Sequence, residues 1–376
     1  MKITQIEVVK SKKPIPLPGE YKAAWFEPDG KPVTSYGFAY YRIHTDEGIT
    51  GYGPYAGEPD NYVLQCLIGS DPFFMEKFWS SAMMGKEVYI NKSSYGGLDA
   101  ALWDIIGKAS NQPVYKLLGA YRDKMPVYAA TSRLLSPEEH VEQVKQIMSL
   151  GFKAVKLRLH RPDYRDDLKV VEAVRKACGD DLVIVVDANQ NHRAINYEWW
   201  SRKTAKFMAK ELQNLNVFFF EEPLERRDYD GLAELSSEFE MYIAGGEHSL
   251  NIYEFREHMK KNTYDILQPD VTLGDIGISG IKKLSVISDY DYKILIPHVS
   301  GLGSFALNFA AALHAAASLR NCPMIEYPFD PPFLTVETQQ FYLKDKFLVD
   351  KDGCVALPGK SGLGVEIDED AVARYL

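Results

Sequence analysis

The chain has 376 residues, too many for one ordinary domain and enough for a barrel of about 250 residues with a smaller companion. Its 46% hydrophobic and 25% charged residues describe an ordinary globular protein, and a net charge of -9 without a dense Lys/Arg cluster argues against a nucleic-acid or anionic-membrane surface. Cys66, Cys178, Cys322 and Cys354 lie far apart with no CxxC pair, no apolar run approaches the roughly 18 residues that span a bilayer, and the amino terminus shows no signal core, so reduced thiols and a cytoplasmic location are expected.

Met1 to Lys10 alternates apolar and polar residues, and Ser35 to Gly53 reads as two strands around a turn at Asp46-Glu47-Gly48. These predict an antiparallel sheet. Between them Ser11 to Thr34, rich in Pro and Gly and carrying Tyr21, Trp25 and Phe26, is too long for a simple turn and reads as a lid, with a meandering surface loop as the alternative. Tyr55 to Pro59 is a second short loop at a strand end. From Asp60 to Leu118 the period becomes helical, most clearly where Leu98, Ala101, Leu102, Ile105 and Ile106 share a face, and Gly119 closes that stretch. Sheet then helices make an α+β unit.

After Met125 strand-like runs alternate with helical ones. The strands are expected at 127–132, 152–159, 182–187, 217–221, 242–247, 264–270, 292–298 and 322–328, with helices such as 137–150 and 167–179 between them. Eight strands at this spacing indicate a closed parallel barrel with its function at the strands' carboxyl ends. A doubly wound open sheet is the alternative, but no GxGxxG loop follows the first strand. The tail, Phe347 to Leu376, holds a short alternating run and is expected to return to the amino-terminal unit.

Three apolar runs end in a carboxylate: Asp187, Glu221 and Glu247. Carboxylates are rarely buried unless paired or bound to a cation, so three in register at successive strand ends imply a hard metal ion; surface acids opening loops are the plainer alternative. Oxygen-only donors favour Mg²⁺, and Mn²⁺ would fit. In FKAVKLRLH, Lys156, Arg158 and His160 alternate with aliphatic residues and so point to one face, toward an anion or into structural ion pairs with Asp187 and its neighbours. Asp270 and His298 end neighbouring strands, where a carboxylate would fix the ring's tautomer and prepare it for proton transfer. Glu326, on the eighth strand, could cap the site and donate to a substrate oxygen if protonated, or form a salt bridge at the rim.

Lys156-x-Arg158, Asp187-x-Asn189, Glu221-Glu222-Pro223, Gly246-Glu247, Gln268-Pro269-Asp270, His298 and Glu326, in that order, resemble the enolase superfamily and within it the mandelate racemase group. The resemblance covers nearly the whole chain, including Ser93 to Ala109 as the helix leading into the barrel. It implies a capping domain over 1–122, a (β/α)7β barrel over 123–345 and a returning segment over 346–376. It also implies that Asp187, Glu221 and Glu247 bind one Mg²⁺, that a base removes the proton α to a substrate carboxylate, and that Lys156 and Glu326 help stabilise the enediolate. One residue departs from pattern. Racemases of this group resemble one another in a K-x-K pair whose second lysine is a base; here Arg158 stands there, and its charge is essentially fixed.

An acid-sugar dehydratase is therefore expected, with His298 removing the α proton, protonating the departing hydroxyl, or both. Lys156, Tyr21 or Tyr55 could supply a base on the Arg158 side. The alternatives are a racemase or epimerase of a 2-hydroxy acid or related carboxylate, and a barrel that serves only as a binding scaffold. The substrate, a small carboxylate, is expected to meet His160, Asn189, Tyr21, Trp25 and Tyr55, with Arg158 and Arg193 suiting a polyhydroxylated anion. Homo-oligomers are expected, without nucleic-acid or membrane partners.

Overall fold

A computed structural model describes residues 1–26, 29–81, 95–191, 199–274 and 276–376. Among them the amino-terminal unit has strands β1 (Ile3–Lys10), β2 (Ile15–Tyr21), β3 (Val33–Tyr36), β4 (Ala39–Thr45) and β5 (Thr50–Pro54), and helices α1 (Asn61–Leu67), α2 (Tyr95–Ala109) and α3 (Val114–Leu117). Strands β1, β4 and β5 form the expected antiparallel sheet, turned at Gly48 with φ +78°. The buried face of α2, Leu98, Ala101, Leu102 and Ile105, closes a core against Tyr41 and Ile43 of β4. Ser11 to Thr34 departs from expectation, because β2 and β3 in and beside it pair into a two-stranded antiparallel ribbon. Pro16 and Pro18 mask β2 in the sequence, yet an edge strand tolerates residues that cannot donate.

The rest of the chain builds the barrel. Parallel strands β6 (Lys124–Ala130), β7 (Ala154–Arg158), β8 (Val183–Asp187), β9 (Val217–Glu221), β10 (Tyr242–Gly245), β11 (Ile266–Leu267), β12 (Ile294–Leu295) and β13 (Ile325–Pro328) lie in the order β12-β11-β10-β9-β8-β7-β6-β13. Between them run α4 (Pro137–Ser149), α5 (Tyr164–Cys178), α6 (Arg202–Asn214), α7 (Tyr229–Glu238), α8 (Ile252–Lys261), α9 (Gly277–Tyr290) and α10 (Phe305–Ala317). Five of these helices begin at a side-chain cap, Ser136, Asp163, Ser201, Asp228 or Asn251, each accepting from a backbone N–H of the first turn. Strands β11 and β12 are only two residues long because Pro269 and Pro297 follow and cannot donate to a ladder; pairing resumes as a single bridge between Asp270 and His298. Across the seam between β12 and β13, the Leu295 N–H donates to the Asn321 carbonyl (3.0 Å) and the Val299 N–H to the Glu326 carboxylate (3.2 Å).

Two apolar layers hold the barrel. The larger lies between strands and helices. The smaller fills the interior with Tyr128, Ala130, Ala154, Val185, Phe219, Ala244, Ile266 and Ile296.

Past β13 come α11 (Val336–Gln339), β14 (Cys354–Ala356) and α12 (Glu369–Ala373). The tail first pairs β14 antiparallel to Lys124–Pro126 at the lower end of β6. It then reaches the amino-terminal unit, where the Leu363 N–H donates to Asp104 (2.7 Å) and Arg42 pairs with Glu369 (2.8 Å). His314 of α10 joins these parts: its Nδ1 accepts from the Tyr115 N–H and its Nε2 donates to the Leu363 carbonyl, both at 3.1 Å. Among the described residues no helix is long and apolar enough to cross a membrane.

Candidate active site

Period-2 alternation carries the interior rows of the barrel upward into a charged floor. Two residues above Ala154, Val185, Phe219 and Ile296 stand Lys156, Asp187, Glu221 and His298; four above Ala154 and Ile266 stand Arg158 and Asp270. Register sets them side by side, with Arg158 opposite Asp187 and Asp187 opposite Glu221. Glu247 is out of phase with Ala244, and Gly246 at φ +114° supplies the turn between them. A Cβ on Gly246 would lie 2.6 Å from the Phe255 ring.

Lys156, fully buried, bonds Glu221 at 2.9 Å and Glu326 at 2.7 Å and lies 3.8 Å from Asp187. Burial opposes its charge, but Glu221 and Glu326 outweigh that and hold it firmly protonated. The Arg158 guanidinium bonds Asp187 through Nη1 and the Thr131 carbonyl through Nε (2.8 Å), while Trp25 stacks on it at 4.8 Å. Asn189, at φ +47°, donates to Asp187 from its N–H and from Nδ2. Burial and then the charge of Asp187 push the Glu221 carboxyl up to about 8, with Lys156 pulling the other way.

His298 Nδ1 donates to Asp270 at 2.7 Å, and Nε2 faces Glu247 at 3.2 Å and Glu326 at 3.8 Å. Burial disfavours the imidazolium, yet Glu247, Glu326 and Asp270 together raise it to about 10. Asp270 is in turn held below the usual carboxylate range despite its burial, by the His298 bond and charge and by Thr272. Both ring nitrogens therefore meet acids, and the ring is loaded with a proton.

Above this floor lies a cavity of about 310 Å³. Of the residues expected from sequence to meet substrate, Tyr21, Trp25 and Asn189 line it, beside Arg158, Glu247, His298 and Glu326. Lys156, Asp187, Glu221 and Asp270 lie beneath. His160 and Tyr55 are elsewhere: His160 Nδ1 bonds the Ala188 carbonyl (3.0 Å), and Tyr55 donates to Glu58 (3.1 Å) and packs on Tyr41. For His160 the alternation that aimed it inward stops at Arg158, where β7 ends. Arg193 lies outside the described residues. The cavity also takes in Phe26, Ser132, His248, Leu273, Val299 and Leu302, which sequence reasoning did not single out as site residues. Phe26 sits in the stretch read as a lid, Leu302 opens a short 3₁₀ turn, and the others lie on loops whose course no periodicity reveals.

Residues 139–371 match the family model described as enolase C-terminal domain-like, and residues 31–119 match the mandelate racemase / muconate lactonizing enzyme N-terminal domain. The chain belongs to the enolase superfamily. Among similar relatives are an arabinonate dehydratase of Saccharolobus solfataricus, 28% identical over 89% of each chain, and a 3,6-anhydro-alpha-L-galactonate cycloisomerase of Streptomyces coelicolor, 28% identical over 89% of this chain and 90% of that one. A solved D-glucarate dehydratase from Agrobacterium tumefaciens, complexed with magnesium, superposes with a TM-score of 0.85 at 25% identity, covering 100% of this chain and 99% of that one. Relatives of this enolase-superfamily chain thus include both eliminating and isomerising enzymes.

The floor suits a hard cation by its own chemistry. Glu221 Oε1 is buried and has no hydrogen-bond partner, and burial together with the nearby Asp187 charge disfavours its ionised form, a cost that a divalent ion bound there would offset. Asp187 and Glu221 are turned toward Arg158 and Lys156, which supply the neutralising charge between them. The group of three whose ligand atoms lie within 4.8 Å of one another, among the described residues, is Glu222, Glu247 and His248. Glu222 reaches it because its backbone takes φ +45°, which swings the side chain off the outward course that alternation assigns it. The superfamily resemblance favours Asp187, Glu221 and Glu247 as ligands, and the local packing offers Glu247 to either set.

Proposed function

We propose that this protein is a Mg²⁺-dependent dehydratase that removes water from a sugar acid to give a 2-keto-3-deoxy acid. The observation that carries the reading is asymmetric proton chemistry: on one side of the cavity His298 is braced by Asp270 at 2.7 Å, and on the other Arg158 is clamped by Asp187, Thr131 and Trp25. A Mg²⁺ ion on Asp187, Glu221 and Glu247 would supply the Lewis acid for the substrate carboxylate and the charge that develops on it. With Glu247 so engaged, one of the acids holding the His298 proton is occupied, and the ring is freed to accept one.

His298 Nε2 then takes the proton from the carbon α to the carboxylate, and the electron pair left behind moves into that carboxylate as an enediolate. Lys156, held by Glu221 and Glu326, presents its ammonium to the new charge. Collapse of the enediolate breaks the bond to the β-hydroxyl, which departs as water with the proton that His298 carries, and the enol tautomerises to the ketone. One base completes this sequence. Reprotonation from the opposite face, as a racemase needs, would call on Arg158, whose protonation its acidic neighbours reinforce despite its burial, or on Tyr21, whose phenol burial pushes up to about 12.

The test is a library of sugar acids incubated with Mg²⁺ in D₂O, scored for 2-keto acid and for α-deuterium. Ketone formation is expected from at least one acid. Deuterium exchange without ketone would replace the dehydratase with an isomerase, and neither signal across the library would favour a binding scaffold.

A further inference from the structure

Helix α2 opens with Gly96-Gly97-Leu98-Asp99, and two of these residues, Gly96 and Asp99, lie one helical turn apart and reach across to the barrel. Gly96 sits so close to the residue after Asp270 that a Cβ on it would fall 1.7 Å from the Val271 carbonyl oxygen and 3.2 Å from the Gly277 nitrogen. Asp99 is buried and accepts from the Ser279 N–H at 2.9 Å and from the Ser279 hydroxyl, whose oxygen in turn accepts from Trp103 Nε1 at 2.9 Å. That carboxylate caps α9 from outside: Ile276, at the cap position, offers no side-chain bond, whereas five other barrel helices supply their own cap. Gly277, at φ +57°, makes the room, since a Cβ there would meet Asp99 Oδ2 at 2.6 Å. Toward the antiparallel sheet α2 has no slack either. A Cβ on Gly97 would fall 1.9 Å from the Pro54 carbonyl oxygen of β5.

The segment gripped at Val271 and at Gly277 carries the residues that hold Asp270. Thr272 Oγ1 donates to Asp270 Oδ1 at 2.7 Å and the Leu273 N–H donates to it at 3.0 Å, while Oδ2 accepts from His298 Nδ1. Backbone therefore stacks on backbone from β5 through α2 to the residue beside Asp270, with no side chain between them to absorb a displacement. Building on the dehydratase reading, which gives Asp270 and His298 their roles, we infer that Gly96 and Asp99 are positioning residues: they fix the depth of Asp270 and through it the aim of the His298 ring. Alignment of the proton-transferring pair thus depends on the docked amino-terminal unit, and a misplacement of about 1 Å is enough to cost a large part of the rate.

The test reads the pair itself in the full-length protein. The His298 Nδ1 proton, assigned by its loss in His298→Asn, should give a slowly exchanging NMR signal in the unaltered protein that broadens or disappears in Gly96→Ala and in Asp99→Ala. It should return in Asp99→Asn, whose carboxamide still accepts from the Ser279 N–H and can donate to the Ser279 hydroxyl oxygen. With any sugar acid that the unaltered protein dehydrates, kcat should fall by about tenfold or more in the two alanine variants while KM and Mg²⁺ affinity stay within a few-fold. In an Asp270→Asn background the same substitutions should cost nothing further, because the carboxylate they position is gone. Asp99→Ala adds no atom and carries the test if Gly96→Ala does not fold. No such signal in the unaltered protein, a signal unchanged in a folded alanine variant, or losses that multiply in the Asp270→Asn background would overturn the inference. A signal lost as expected with no acid dehydrated by the unaltered protein would instead remove the dehydratase reading and leave the positioning of Asp270 in place.

Discussion

The floor of the cavity and the wall above it are built by different physics. The floor stands on strand ends, where a two-residue period and a fixed ladder put Lys156, Asp187, Glu221 and His298 in one ring. Its members are charged, buried and mutually compensating. The wall stands mostly on loops, mixes apolar residues with Tyr21, Ser132, His248 and Ser300, and is held by local contacts such as the Gln339 bond to Leu302. The groups able to carry protons and charge are therefore concentrated in the floor, and the wall adds mainly apolar surface.

The largest effect that separates the two is on turnover. His298→Asn should lower kcat by about 10³-fold or more while leaving Mg²⁺ affinity within a few-fold, as read by steady-state kinetics and calorimetry. Substantial remaining activity would remove His298 from the reaction. Next is the charge balance of the floor. Lys156→Met leaves Glu221 and Glu326 without their central partner and should destabilise the metal-free protein by about 3 kcal/mol in urea unfolding, less so in saturating Mg²⁺. An unchanged urea midpoint would mean that those acids do not depend on Lys156.

A smaller effect contrasts two buried rings. His298 sits among acids and is charged; His314 is kept neutral by one acceptor and one donor role, and burial depresses it to about 4. Because its folded value lies below the unfolded 6.5, the His314 contribution is present above pH 6.5 and is lost as pH falls toward 4. His314→Gln should therefore cost stability at pH 7.5, and the gap to the unaltered protein should narrow by about 2 kcal/mol at pH 4.5. A gap independent of pH would show that the ring does not titrate as its burial demands. The smallest effect is Trp25→Leu, which uncovers Arg158 and should lower kcat/KM by about tenfold while leaving metal affinity alone; unchanged kcat/KM would make the stacking incidental.

Much of the floor was legible in the sequence because period-2 alternation survives from Ala154 to Arg158 and from Val183 to Asp187, so an acid or base at a strand end inherits a direction. That logic failed where the strand did. His160 lies past the end of β7 and bonds a backbone carbonyl, and Tyr55 belongs to a loop that packs on Tyr41. The ladders expected over 264–270 and 292–298 are cut short by Pro269 and Pro297, yet the Asp270–His298 pairing survives as a bridge. Glu222 and Leu302 were missed because each owes its position to a positive φ, at +45° and +54°, in residues whose type does not announce one. The wall as a whole has no period to read.

Where the cation binds decides most between the two candidate carboxylate sets. Diffraction from crystals soaked in Mn²⁺, with anomalous difference maps at the manganese edge, should place one ion in contact with Asp187, Glu221 and Glu247, beside His298 Nε2. An ion seated instead on Glu222, Glu247 and His248, or no ion at either place, would contradict it.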